Sequence, residues 1–189
     1  MGSRRLGAQR LNALLRNGST GTDSSYQAGE SIKPAIKSHR MIKDGVFVIT
    51  EIVLDLGTTT ADIRSATVDR PIGTHSSTAS AELMLWEDDI HGVLQSTETY
   101  VMEAATTISA CSLAVGTNQA AIDVAITGRA DINAAFAVGT KRVGAAVVQA
   151  TSPDGKYVYL TNDDGAGTTI NAGQLVVRLI GMLEADISS

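Results

Sequence analysis

Asp55-Leu56-Gly57-Thr58-Thr59 closes an apolar run with an acid, a glycine and two hydroxyl residues. In such a loop an aspartate can serve a metal-bound water while the amides that follow cradle a phosphate. A nucleotide site of that kind also needs a second phosphate loop and a second lobe, and neither follows in the sequence. The plainer expectation is a strand end turned by Gly57. His39, His75 and His91 fall in three unrelated places, and none has a second ligand at metal-binding spacing. Glu87, Asp88, Asp89 and His91 form one hard-cation candidate; Asn162, Asp163 and Asp164 form another. Both fall short of the ligand count of a calcium loop and are expected to be solvated acidic turns. Glu98 and Glu103 are expected on a sheet surface. No Ser-His-Asp arrangement can be argued from spacing. The single cysteine, Cys111, excludes an internal disulfide and is expected to act as a small buried hydrophobe. The expectation is a chain without catalytic, cofactor or metal residues.

The elements that would position these groups read as strands. Val46, Val48, Thr50, Ile52, Leu54 and Leu56 alternate with Phe47, Ile49, Glu51, Val53 and Asp55, the pattern of a long strand. Its second face is expected to be buried at first and wetter later. Ile32–Met41 holds Pro34 and reads as an edge strand or an extended lead-in. Ala81–Trp86, Val93–Met102, Ile108–Val115, Ala121–Thr127 and Val143–Ala150 supply further strands. Trp86 is expected at a rim with one wet edge. Ala130–Phe136 is the candidate for a short helix or 3₁₀ turn. Ser152-Pro153-Asp154-Gly155 makes a turn before Tyr157–Thr161. That stretch is similar to one blade of a lactonase-like β-propeller, but it occurs once, and a propeller needs several. Tyr157–Thr161 and Leu175–Leu183 then read as two closing strands joined by a loop of Asn, Asp, Gly and Thr. About eight strands with short turns predict an all-β fold, an antiparallel β-sandwich or jelly-roll-like domain with an extended N-terminal arm. With 43% apolar and only 4% aromatic residues, its core must be aliphatic.

Charge divides the chain. Residues 1–43 carry a net +6 and residues 44–189 a net −11. The division predicts a basic N-terminal arm and linker over 1–43 and a β-sandwich domain over 44–189. Arg4, Arg5, Arg10 and Arg16 are interleaved with Leu11, Leu14 and Leu15, whose spacing permits a short amphipathic helix. These seven residues are the candidate partner-binding set. A basic arm ahead of an acidic body implies a negative partner, which could be an acidic protein surface, including a neighbouring copy. Nucleic acid is disfavoured by the acidic body and by the lack of basic–aromatic interleaving. No apolar run approaches the roughly 18 residues of a membrane span, and the first ten residues lack the apolar stretch of a signal peptide.

From about Met41 onward the chain resembles small virion structural proteins of tailed bacteriophages. Val48–Leu56, Arg70-Pro71-Ile72-Gly73, Val101–Thr107, Tyr157–Thr161 and Ala172–Gly181 carry the resemblance. It implies a non-enzymatic capsid decoration or cement protein on the outer surface of a phage head, assembled in the host cytoplasm. Its partners would be the major capsid protein and further copies of itself, as a homotrimer. The alternative is a carbohydrate- or receptor-binding β-sandwich module of a fibre or tail. That role would need an exposed aromatic platform drawn from Tyr26, Trp86, Tyr100, Tyr157 and Tyr159.

Overall fold

A computed structural model describes residues 28–57, 63–65, 70–74, 81–104, 111–118, 121–125, 139, 141–144, 153–162, 168–170 and 172–183. The protein is all-β. A 3₁₀ turn at Lys33–Ala35 leads into β1 (Ile36–Asp44), β2 (Phe47–Asp55), β3 (Ile63–Ser65), β4 (Arg70–Pro71), β5 (Gly73–Thr74) and β6 (Met84–Trp86). One helical turn, α1 (Asp88–His91), precedes β7 (Val93–Glu103). The remaining strands are β8 (Cys111–Asn118), β9 (Ala121–Ala125), β10 (Lys141–Gly144), β11 (Lys156–Asn162), β12 (Thr168–Ile170) and β13 (Gln174–Met182). Among the described residues, no helix is long and apolar enough to cross a membrane.

Every strand pairing is antiparallel. Sheet I has the order β1-β2-β13-β7-β10. Sheet II runs β4-β11-β8-β9, with β6 also paired to β11, and β12-β3-β5 form a small third sheet. Sheets I and II enclose one aliphatic core. Ile52, Leu54, Leu175, Val177 and Leu179 meet Met84, Leu113, Val115, Val158 and Leu160 there, together with the ring of Trp86. This is the sandwich that the alternating apolar pattern predicts.

Several particulars depart from the sequence expectations. The two closing strands do not pair with each other: β11 lies in sheet II and β13 at the centre of sheet I. Their connection is far longer than the roughly two to five residues of a hairpin, and it places β12 in the third sheet on the way. β1 is an edge strand of sheet I, one of the two readings expected of Ile32–Met41, but Ile32 and Ala35 ahead of it are fully buried in the core. Residues 28–43 thus lie within the sandwich, and the boundary expected at 43/44 falls inside the β1–β2 hairpin. Val46 is not on the core face but at the hairpin tip, 49% exposed, beside Gly45 with its positive φ of 63°. A two-residue hairpin loop demands such a φ, which glycine adopts without strain. The helix candidate at 130–136 lies outside the described residues.

Thr50 and Thr97 flank Leu179 in adjacent strands of sheet I. Both are buried, and neither hydroxyl has a hydrogen-bond partner among the described residues. A buried hydroxyl left unpaired costs about 1–3 kcal/mol, and valine has nearly the same shape. Thr50→Val and Thr97→Val are each expected to raise stability by about 1 kcal/mol. Urea denaturation checks this; a loss of stability in both variants would show that the hydroxyls are satisfied.

Candidate functional site

Among the described residues, the outer face of sheet I brings charged and apolar side chains together in rows. Strand register fixes its rows. Asp44, Phe47, Met182 and Val93 share the row at the hairpin end. Ile42, Ile49 and Ile180 form the next, and Arg40, Glu51, Arg178 and Glu98 the third. Val53, Val176 and Tyr100 follow. Side chains two apart on a strand share a face, so an apolar field at the hairpin end abuts a charged row at mid-sheet.

The charged row is closed on itself. Glu51 is only 5% exposed and joins two arginines. Its Oε1 lies 2.6 Å from Arg40 Nη2, and its Oε2 accepts from Arg178 Nε at 2.7 Å. Arg178 Nη1 lies 3.7 Å from Glu98 Oε2, and the Tyr100 hydroxyl donates to that same oxygen at 2.8 Å. The guanidinium also sits 5.1 Å from the centre of the Tyr100 ring. The hydrogen bond to Glu51 raises the Arg178 pKa above the ordinary guanidinium value, against the opposing effect of burial. Two acids and two bases cancel across four strands. The sequence expectation for the second face of β2 is thereby reversed: Phe47, at its start, is 43% exposed, while Glu51 and Asp55 are buried. Cross-strand pairing drives this, since Glu51 meets an arginine on both sides.

The row gives a graded stability prediction. Arg178→Ala leaves the buried Glu51 carboxylate with Arg40 alone and is expected to cost about 2 kcal/mol. Arg40 is the more exposed partner, so Arg40→Ala is expected to cost about 1 kcal/mol or less. Chemical denaturation of both variants checks the ranking; the reverse order would mean that Arg40 is the principal partner.

The sequence-derived acid candidates resolve differently. Asp55 is 7% exposed; its Oδ1 accepts from the Gly57 amide at 3.1 Å and its Oδ2 from Gln174 Nε2 at 3.3 Å. The carboxylate therefore closes the strand end, as the plainer expectation had it; Thr58 and Thr59 lie outside the described residues. Glu87-Asp88-Asp89-His91 is not a wholly solvated turn. Trp86 is fully buried, and its Nε1 donates to Asp88 Oδ1 at 3.0 Å, so the wet edge expected of it is satisfied by protein. His91 is 1% exposed and stacks on Trp86 with ring centroids 4.8 Å apart. Its Nδ1 lies 3.1 Å from the Glu87 amide and 3.0 Å from the Glu87 carbonyl. Among the described residues, no group of three or more His, Cys, Asp or Glu is placed to hold a metal ion. Glu98 belongs to the charged row, and Glu103 is exposed. The seven arm residues, Arg4, Arg5, Arg10, Leu11, Leu14, Leu15 and Arg16, lie outside the described residues, as do Asp163 and Asp164.

Sequence reasoning missed the apolar field at the hairpin end. Val46 and Phe47 stand at the Gly45-Val46 hairpin loop, but Met182 joins them only through the pairing of β2 with β13, which no local pattern announces. No protein-family model, no curated protein and no solved structure matches the chain.

Proposed function

We propose that the chain is a non-enzymatic adhesion protein of the capsid-decoration type. It would be held on the outer surface of a phage head through its N-terminal arm, against the major capsid protein, and would stabilise that shell. The observation that carries this reading is the closed charge row: the most concentrated polar chemistry of the described sandwich is spent on its own neighbours. What is left over is adhesive. There is an apolar field at one end of sheet I and an arginine- and leucine-bearing segment ahead of an acidic body. Weak contacts of this kind gain strength when symmetry repeats them around a particle. The resemblance of the chain to virion proteins supports the same reading, including association as a homotrimer.

The carbohydrate-binding alternative loses ground. Trp86 and Tyr159 are buried, and Tyr100 is engaged by Arg178 and Glu98. Too few rings remain among the described residues for a sugar platform. The test uses the full chain with Arg4, Arg5, Arg10 and Arg16 all changed to Glu. Heads lacking the protein should retain it when wild type and shed it when charge-reversed, with an unchanged melting temperature. Undiminished occupancy by the reversed chain would overturn the mechanism. Any truncation of the arm must stop before Ala28, because the Gly29 amide donates to the Glu82 carbonyl at 2.7 Å and Ile32 is core.

A further inference from the structure

The outer face of sheet I is charged in the middle and apolar on either side. Glu51 is the fifth of nine residues in β2, and Arg178 the fifth of nine in β13, so the charged row crosses the centre of the sheet. Ile49 and Ile180 lie on one side of it, with the exposed Phe47 and Met182 beyond, and Val53 and Val176 lie on the other. Along the row the charges alternate: Arg40 on β1, Glu51 on β2, Arg178 on β13 and Glu98 on β7. Such a pattern changes sign when it is reversed end for end. We propose that this face docks on the same face of a second copy of the chain, across a two-fold axis that runs along the strands between β2 and β13.

Charge complementarity selects both the occupant and the axis. Rotation about that axis keeps each row at its own height and exchanges β1 with β7 and β2 with β13. Arg40 then meets Glu98 of the second copy, and Glu51 meets its Arg178. Ile49 meets Ile180, Val53 meets Val176, and Phe47 meets Met182, each across the interface. A two-fold axis across the strands would instead set Arg40 on Arg40 and Glu51 on Glu51, and like charges so placed cost several kcal/mol. The match is weaker at the edge strands, where Asp44 would stand over Val93 at the rim. Each charge of the row already has an opposite neighbour in its own copy, so docking buries no lone charge. The area is sufficient. Four strands of nine or more residues, about 4.8 Å apart and about 30 Å long, cover roughly 600 Å². A pair would bury about 1,200 Å² in total, the lower bound of a specific interface. The inference goes beyond the capsid reading and does not rest on it, because a two-fold pair requires neither a shell nor a three-fold assembly.

Sedimentation equilibrium of the full chain tests this. Wild type is expected to show twice the mass of one chain at about 100 μM, where a micromolar Kd leaves most chains paired. Two double variants are then compared, one with Phe47→Lys and Met182→Lys, the other with Phe47→Glu and Met182→Glu. Both side chains are exposed, so the circular dichroism spectrum should be unchanged. Each variant alone should pair at least about tenfold more weakly, since like charges then meet across the interface. An equal mixture of the two should recover pairing, because each lysine then meets a glutamate. Should a variant misfold, benzoylphenylalanine in place of Phe47 serves, in a mixture of isotope-labelled and unlabelled chains. Photo-adducts joining residue 47 of one isotope to residue 182 of the other are expected. A monomeric wild type, a trimer as the sole associated species, pairing that survives in each variant alone, a mixture that fails to pair, or an absence of mixed-isotope adducts would each overturn the inference. Head occupancy is measured on the chain with the charge-reversed arm, so either proposal can fail while the other stands.

Discussion

Gly181→Ala is expected to lower stability by more than about 3 kcal/mol, among the largest losses any single methyl group can cause in this chain. Gly181 faces inward from β13, and there α1 crosses the end of sheet I. A β-carbon at 181 would overlap the His91 carbonyl oxygen, lie 2.9 Å from the His91 carbonyl carbon and 3.0 Å from the Gly92 carbonyl oxygen. All three are backbone atoms, so no side chain can rotate away. Relief would require α1 to lift off the sheet, and α1 is the link between β6 of sheet II and β7 of sheet I. Gly92 is wedged from the other side: its φ is 76°, and an added β-carbon would lie 2.5 Å from the Met182 carbonyl carbon. In a chain of this size the expected fall in melting temperature is roughly 10 °C. Differential scanning calorimetry decides; a melting temperature within about 2 °C of wild type would mean that α1 does not seat on Gly181.

Trp86→Ala is expected to cost about 4 kcal/mol, the range for deleting a large ring from a packed core. Three losses combine. The ring is fully buried, its Nε1 is bonded to Asp88, and its face carries His91. Trp86→Phe should recover most of the packing and leave a loss near 2 kcal/mol, while Asp88→Ala should cost only about 1 kcal/mol by removing the acceptor. Denaturation midpoints of the three variants test the order Ala, Phe, then Asp88→Ala. An Asp88→Ala loss equal to that of Trp86→Ala would show that the corner is held by its hydrogen bond and not by the buried ring.

Both residues sit at one corner, and the sequence revealed only part of it. Val48–Leu54 was legible because a period of two with β-branched residues has one physical solution, a strand with a buried face. The aliphatic sandwich followed from the number of such runs. Trp86 was misplaced because the acids beside it suggested water, whereas Asp88 turns inward on α1 to meet the indole. Glu51 was misjudged for the same reason: its burial depends on Arg40 and Arg178, the latter more than a hundred positions away in sequence. The close approach at Gly181 had no local signal, since a glycine in a strand looks alike whether or not another backbone crosses it. Of the candidate site, the basic segment could be read directly from composition. The apolar field could not, because Phe47 and Met182 become neighbours only through the pairing of β2 with β13.

That pairing has a consequence for synthesis on the ribosome. β13 is the last described strand to be translated, yet it occupies the middle of its sheet. Until it emerges, β2 and β7 have no common neighbour, and the nascent chain carries two half-built edges. Commitment to the native topology must therefore be late and close to all-or-none, with the final strand acting as a keystone whose absence leaves earlier segments prone to pairing with other nascent chains.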